Sequence, residues 1–516
     1  MLNKSDLHSA AQCPRKLWLE KNRQDIVIEE DAGAERHKRE GIQVGDLARK
    51  QMGPNVLWPQ AEASKADAAL MAKEQLLANP TLAAVEFPMF HDEFYSRADA
   101  VIPDADGYIL QETKASSFPL KKDKVTPDRA ADEHLLDLAI QAHALEQSGI
   151  PLARAELNLL NNQWRYPGNN DYSGMFRTLD VTTDVRGLVD EVPIMLVRAR
   201  ELVAGPMPEM VTGKQCSKPR RCEFQEFCEK LDPPKPEHPI ELLPDSAGKK
   251  LAQKLKSEMG YVSLLEPAPV LFTGKNAPLY VRMQEAHRTG EQYLAADSAA
   301  GIENLPYPRY YFDFEGIDLA VPIWKGVRPY EQVPFQWSCH IERAPGVFEL
   351  GEFLDLSGDD PSLGCIEQML KTIDVNDGGP IYVYFATYEK GRLQELALRH
   401  PEHAEALETY IDRLVDLHPM VKDKFYDHRM KGSFSIKAVL PIIAPDLDYS
   451  QLTEVQGGIG AQLAYIKAAL QKTQTPAEFE ETKRNATLYC RQDTWAMVEV
   501  AYFLARQPRP VRPEGM

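Results

Sequence analysis

The chain has 516 residues, 43% hydrophobic and 26% charged, with a formal net charge of −18; that is room for about two to four domains with sizeable cores. It holds no apolar run near the ~20 residues of a membrane-spanning helix, and its first residues, with Lys4 and Asp6, lack the apolar stretch of a secretory signal. The acidic balance excludes a wholesale cationic coat, and seven unevenly spaced cysteines exclude a disulfide scaffold, so the expectation is a cytoplasmic protein with no membrane attachment.

In chain order, Cys13 comes first, and Cys216, Cys222 and Cys228 follow far downstream. Four thiolates in those places can close a metal or cluster site by joining the start of a domain to its end. Between them, Phe94–Ile102 and Tyr108–Lys114 read as strands joined by the turn-rich Pro103-Asp104-Ala105-Asp106-Gly107. Side chains alternate along a strand, so Glu112 and Lys114 point into one cleft, where Asp99 can meet them across the hairpin. Two carboxylates and the carbonyl of Thr113 make an all-oxygen site for Mg²⁺ or Mn²⁺. Lys114 would orient the attacking water and offset charge on a phosphate. Taken alone, Glu-x-Lys is common and describes an ordinary ion pair on an exposed hairpin better than a catalytic site.

Residues 128–147 read as a helix, with Leu135, Leu138, Ala142 and Leu145 on one stripe and Gly149 just past the end. Asp137 and Gln141 share a neighbouring face of it. The basic runs Lys121-Lys122-Asp123-Lys124, Lys214 through Arg221, and Lys249-Lys250 with Lys254 and Lys256 read as solvated surface or as local nucleic-acid contacts. Pro233, Pro234, Pro236 and Pro239 then break the chain. The resulting division is 1–232, a connector 233–303 with short helical patterns such as Gly248–Met259, and 304–508, followed by a Pro-rich tail, Gln507–Met516, expected to fray.

In the last domain Tyr310-Tyr311-Phe312-Asp313-Phe314-Glu315 reads as a buried strand that delivers Asp313 and Glu315 on one side as a metal cradle. Tyr489 and Asp493 sit four apart on a helix, so they share a face, where Asp493 can complete that site and Tyr489 can hold the attacking water. Read separately, the first motif is better described as the end of an ordinary strand and Tyr489 as a core aromatic.

Ser5-Asp6-Leu7, Cys13-Pro14-Arg15-Lys16-Leu17, Arg97-Ala98-Asp99, Glu112-Thr113-Lys114, Gln141 and Cys216…Cys222…Cys228, in that order, resemble the PD-(D/E)XK nucleases of the RecB type, especially the CRISPR-associated exonuclease branch. The resemblance implies an α/β restriction-endonuclease-like domain with Asp99, Glu112, Lys114 and Gln141 as its catalytic set. It also implies a [4Fe–4S] cluster on Cys13, Cys216, Cys222 and Cys228 that staples the N-terminal segment to the far end of the domain. Structural zinc is the alternative occupant and reduced, unliganded cysteines the third possibility. Two positions depart from the family: Gly45 follows Gly41-Ile42-Gln43-Val44 where the family has a metal-binding side chain, leaving Glu40, Asp46 or His37 as substitutes, and Leu145 stands where the family often has tyrosine.

Asp313 and Glu315 with Tyr489 and Asp493 look like the first and last motifs of the DnaQ-like, DEDD-type 3′–5′ exonucleases of the ribonuclease H-like fold. The middle motif, normally Asn-x-x-(Phe/Tyr)-Asp, is matched by Phe385-Ala386-Thr387-Tyr388-Glu389, with Glu389 as the fourth acid and Asp416 as the reserve ligand. Ser435-Ile436-Lys437 with Leu440-Pro441 is similar to the substrate-side helix of that superfamily. The whole chain thus resembles a family of uncharacterised bacterial proteins that join a RecB-like to a DnaQ-like domain. That implies an α/β metal-dependent nuclease with two active sites whose partner is DNA, single-stranded or with free ends. Its role would lie in repair, recombination or phage defence. The alternative is a nucleic-acid-binding scaffold whose sites have decayed.

Overall fold

The computed structural model describes residues 1–26, 32–59, 64–447 and 458–513, and over these the chain is a mixed α/β protein. Its residues divide into two units, Met1–Pro233 with Leu319–Glu331, and Pro234–Asp318 with Gln332–Met516.

The first unit runs β1 (Leu2–Asn3), α1 (Lys4–Gln12), α2 (Pro14–Asn22), α3 (Ala32–Gln51), β2 (Val56–Leu57), α4 (Lys65–Ala78), β3 (Ala83–His91), β4 (Phe94–Asp104), β5 (Gly107–Ser117), α5 (Asp132–Gln147), β6 (Leu152–Leu160), β7 (Phe176–Asp180), α6 (Thr182–Val189), α7 (Val192–Ala204) and α8 (Gln225–Glu229). The sheet order is β2-β3-β4-β5-β6-β7, with β1 parallel to the start of β4. Pairing of β4 with β5 continues to Asp104↔Gly107, so the turn is only Ala105-Asp106 and both strands outrun the sequence pattern. Gly107, at φ 139°, passes so near Pro151 that a Cβ would lie 2.6 Å from its carbonyl oxygen. Helix α5 starts at Asp132 rather than 128, because the Asp128 N–H is spent on the Pro119 carbonyl and Leu120 bridges Pro127. Asp132 and Glu133 then lie in its first turn, favourable to the helix dipole. Its apolar stripe packs Leu135, Leu138, Ala142 and Leu145 against Leu110 and Leu157 of the sheet.

The second unit adds α9 (Asp245–Met259), α10 (Ala277–Thr289), β8 (Tyr293–Leu294), β9 (Arg309–Ile317), β10 (Val333–Ala344), β11 (Val347–Leu354), α11 (Ser362–Thr372), β12 (Ile381–Val383), α12 (Ala386–Arg399), α13 (Ala404–Asp412), β13 (Leu414–Asp416), α14 (Leu417–Lys424), β14 (Phe425–Tyr426), α15 (Ile436–Ile443), α16 (Gly458–Tyr465) and α17 (Pro476–Leu504). Its five-stranded sheet is ordered β11-β10-β9-β12-β13, antiparallel across β11-β10-β9 and parallel across β9-β12-β13. Alternation along β9 sends Tyr310, Phe312 and Phe314 into a core with Ile366 of α11, Leu393 of α12 and Tyr410 of α13. The opposite face carries Tyr311, Asp313 and Glu315 and is covered by α17.

Two stretches behave differently from their sequence reading. The connector 233–303 contributes Ile240, Leu243, Leu255, Tyr280 and Met283 to the same core as Phe425 and Trp495. Residues 507–513 of the Pro-rich tail are tied down, because Arg509 pairs through Nε with the buried Glu499 at 2.9 Å and Arg512 donates to Gln492 at 2.9 Å, and the rest of the tail lies outside the described residues. Among the described residues no helix is long and apolar enough to cross a membrane.

Candidate active sites

The first acidic site forms where two strands part. Pairing of β4 with β5 stops at Ala100↔Gln111, so Asp99 and Glu112 sit at the mouth of a split. The Thr113 N–H reaches across it to Asp99 Oδ2 at 2.9 Å. Glu112 is 3% exposed and accepts from Lys114 Nζ at 2.7 Å and from Gln141 Nε2 at 2.8 Å. The structure therefore brings Asp99, Glu112, Thr113, Lys114 and Gln141 together.

Three further side chains enter this site unannounced by any motif. Asp137 pairs with Lys114, and Lys4 Nζ lies 2.9 Å from Asp137 and 3.3 Å from Glu112, while His8 Nε2 stands 3.5 Å from Asp137. Asp137 was legible as the partner of Gln141 on one helix face; Lys4 and His8 come from α1, more than a hundred residues away in sequence, and gave no signal. Burial pushes the Asp99 carboxyl up to about 7, helped by the charge of Glu112. Burial acts the same way on Asp137, but Lys114, His8 and Lys4 outweigh it and hold it well below the usual range. Lys114 stays charged because Glu112 and Asp137 overcome its burial.

The split is lined on its other side by Gly45, Ala48 and Arg49 of α3. Glu40 is buried and paired with Arg36 at 2.9 Å, and Asp46 is paired with Arg49. Gly45 is thus the residue presented to the acids, and a Cβ there would meet nothing closer than Arg49 Nη1 at 3.5 Å.

The second site gathers acids from a strand and two helices. Ligand oxygens of Asp313, Glu315 and Asp493 all lie within 4.8 Å of one another. Glu389, from the first turn of α12, is 1% exposed and lies within electrostatic reach of Asp313 and Glu315. Burial first, then Asp493, push Glu315 up to about 8, and Asp313 is raised well above the carboxylate range by the same causes. Burial also raises Glu389 to about 8, and its Oε2 meets no hydrogen-bond partner among the described residues. Three carboxyls within 4.8 Å of one another, with the buried Glu389 within electrostatic reach, are a donor set that fits hard divalent cations. Tyr489 is 4% exposed and its hydroxyl accepts from Lys437 Nζ at 2.9 Å; burial and then the Asp493 charge raise its pKa. Asp416, the reserve ligand, is otherwise engaged. Its Oδ1 accepts from Phe385 N at 3.1 Å and His418 N at 3.0 Å, and its Oδ2 from Ala386 N at 3.0 Å, so it caps α12 and α14.

The four cysteines of the first unit are free and buried. Cys216, Cys222 and Cys228 share a small apolar cluster with Leu19 and Phe224, and Cys13 lies close enough to Cys228 to act on its charge. Burial raises Cys222 to about 11, while at Cys228 the nearby Arg15 guanidinium opposes the effect of burial. Side-chain-to-backbone bonds already hold the two ends of the unit together: Gln12 Nε2 donates to the Gln215 and Arg220 carbonyls at 2.8 Å, and Trp18 Nε1 to that of Gly205 at 2.9 Å. Cysteines 339, 365 and 490 are buried elsewhere as packing residues.

Residues 310–435 match a family model described as "Domain of unknown function (DUF2779)". The chain is 28% identical over 233 residues to "Uncharacterized protein UU173" of Ureaplasma parvum serovar 3, covering 39% of this chain and 32% of that protein. It is 24% identical over 219 residues to "Uncharacterized protein MG366 homolog" of Mycoplasma pneumoniae, covering 39% and 33%. The chain thus spans about a third of the length of these curated relatives. Among solved structures, "Crystal structure of SSO0001" aligns with 42% of this chain and 95% of its own at 16% identity, with a TM-score of 0.17.

Proposed function

We propose that the chain is a cytoplasmic, metal-dependent nuclease acting on single-stranded DNA or DNA with free ends, with a DnaQ-like site at Asp313, Glu315, Glu389 and Asp493 and a RecB-like site at Asp99, Glu112 and Lys114. The observation that carries this reading is the convergence of Asp313, Glu315 and Asp493 within 4.8 Å, in a buried cluster where burial and mutual repulsion raise Asp313 and Glu315. Mg²⁺ or Mn²⁺ between these acids would supply an acidified water and neutralise the phosphate. Around it, Tyr489 sets the direction from which a water donates, and Lys437 holds the Tyr489 hydroxyl in place. In the first site Lys114 keeps its proton and neutralises charge on the phosphate, and Gln141 fixes the rotamer of Glu112. Cys13, Cys216, Cys222 and Cys228, buried thiols of one unit, would hold a [4Fe–4S] cluster as its four thiolate ligands.

A second reading concerns the first site alone. Gly45 offers no ligand, and Lys4 and Lys114 already satisfy Glu112 and Asp137. These favour a site that holds nucleic acid without cutting it. The test is Mn²⁺ titration by calorimetry of wild type, Glu112→Gln and Glu315→Gln, each then assayed on DNA. Each variant is expected to lose the Mn²⁺ binding and the share of cleavage that belong to its own site; Glu112→Gln that changes neither supports the second reading, and metal binding unaffected by Glu315→Gln would refute the second centre.

A further inference from the structure

Phe385 is an anomaly. It occupies the N-cap of α12 at φ 73° and ψ 64°, a left-handed conformation that bulky side chains avoid, yet its ring is 48% exposed. Core packing therefore does not explain the strain. The ring instead stacks on the imidazole of His418, with centroids 3.8 Å apart and planes 24° from parallel, and Tyr384 meets both edge-on. Tyr384 is anchored by its hydroxyl, which donates to the Phe434 carbonyl at 2.6 Å.

One carboxylate sets this arrangement. Asp416 Oδ1 accepts from the backbone of both Phe385 and His418, so the two rings are fixed to the same atom from two helix starts. One turn along α12 from Phe385 stands Glu389, within electrostatic reach of Asp313, Glu315 and Asp416. An exposed, rigid, backed aromatic face next to a phosphate-handling site matches the physical requirement of a base-stacking platform: every base has a π-face, and a pre-stacked ring loses little entropy on binding.

We infer that the Phe385–His418 pair is a binding site for one unpaired nucleobase of single-stranded DNA, placed beside the acids of the second site, with Asp416 as its positioning residue. The location relative to the scissile phosphate rests on the nuclease reading; base stacking itself does not. A paired base has both faces covered by its neighbours, so the platform selects an unstacked or terminal base.

The test is a cycle between ring and base. Full-length wild type and Phe385→Gly bind a labelled single-stranded oligonucleotide, with Ca²⁺ replacing Mn²⁺ to prevent turnover, and then the same strand with abasic sites near its end. Glycine removes the ring and suits φ 73°, so the variant keeps its fold. The expected loss is roughly five- to a hundred-fold for the normal strand, the range of one base–aromatic stack, and none for the abasic strand; Phe385→Trp restores binding. Equal losses on both strands, or no loss, would overturn the platform, as would wild type failing to bind the normal strand. Mn²⁺ cleavage by wild type is scored separately: tight, base-dependent binding without cleavage rejects the nuclease reading and leaves the platform standing.

Discussion

Replacing Asp493 with asparagine should stabilise the metal-free protein, although it disables the proposed site. Ligand atoms of Asp313, Glu315 and Asp493 lie within 4.8 Å, and two unit charges at such a separation repel by roughly 3.5 kcal/mol at an effective dielectric of about 20. Proton uptake caps the cost. Glu315 ionises near 8 in the folded protein instead of 4.5, through burial first and Asp493 second. Between those values the unfolded chain binds fewer protons than the folded one, so stability falls as pH rises. At about 1.4 kcal/mol per pH unit, holding that proton at pH 7 costs roughly 3 kcal/mol. Asp493 supplies only part of the shift, so Asp493→Asn should return about 1–2 kcal/mol and raise Tm by a few degrees. The assay is thermal unfolding at neutral pH in EDTA, repeated with saturating Mn²⁺. Wild type should gain stability from Mn²⁺ and the variant little. A variant less stable than wild type in EDTA and equally responsive to Mn²⁺ would refute the reasoning.

Three further outcomes follow from the same geometry. Gly45→His places a ligand where a Cβ finds 3.5 Å of clearance; Mn²⁺ affinity of the first site should rise about tenfold or more, read by calorimetry in an Asp493→Ala background. Cys228→Ser should remove most iron from anaerobically purified protein and lower Tm, both measured directly; unchanged iron content would exclude that ligand. Burial lowers His287 to about 4 and His340 to about 3 from an ordinary 6.5. Below pH 6.5 the unfolded chain gains protons that these folded rings refuse, so their contribution to stability is lost on acidification. The stability gap between wild type and His340→Gln, followed by urea unfolding, should therefore narrow from about pH 7 to 5.

What sequence could reveal depended on whether the chemistry was local. Asp313 with Glu315, Glu112 with Lys114, and Tyr489 with Asp493 are spaced by the periods of strand and helix, so periodicity alone set their faces. Lys4 and His8 reach the first site only because α1 packs beside the hairpin, a contact between distant residues that no spacing encodes. Asp416 looked like a ligand because it is an acid beside the motif, whereas its three accepted N–H bonds make it a helix cap. Phe385 looked like a departure from a motif; its strain and exposure are visible only in three dimensions. The connector's small apolar set, Ile240 through Met283, reads as a separate piece until its partners Phe425 and Trp495 are known.

The central claim is two metal-dependent nuclease sites in one chain. It is tested most directly with anaerobically purified protein, Mn²⁺ and end-labelled single-stranded DNA, comparing wild type, Lys114→Ala, Asp493→Ala and the double variant. Each single variant should lose a distinct part of the product pattern, and the double variant should be silent. Wild type that leaves both DNA and parallel RNA intact, or a double variant that cuts as wild type does, would contradict it.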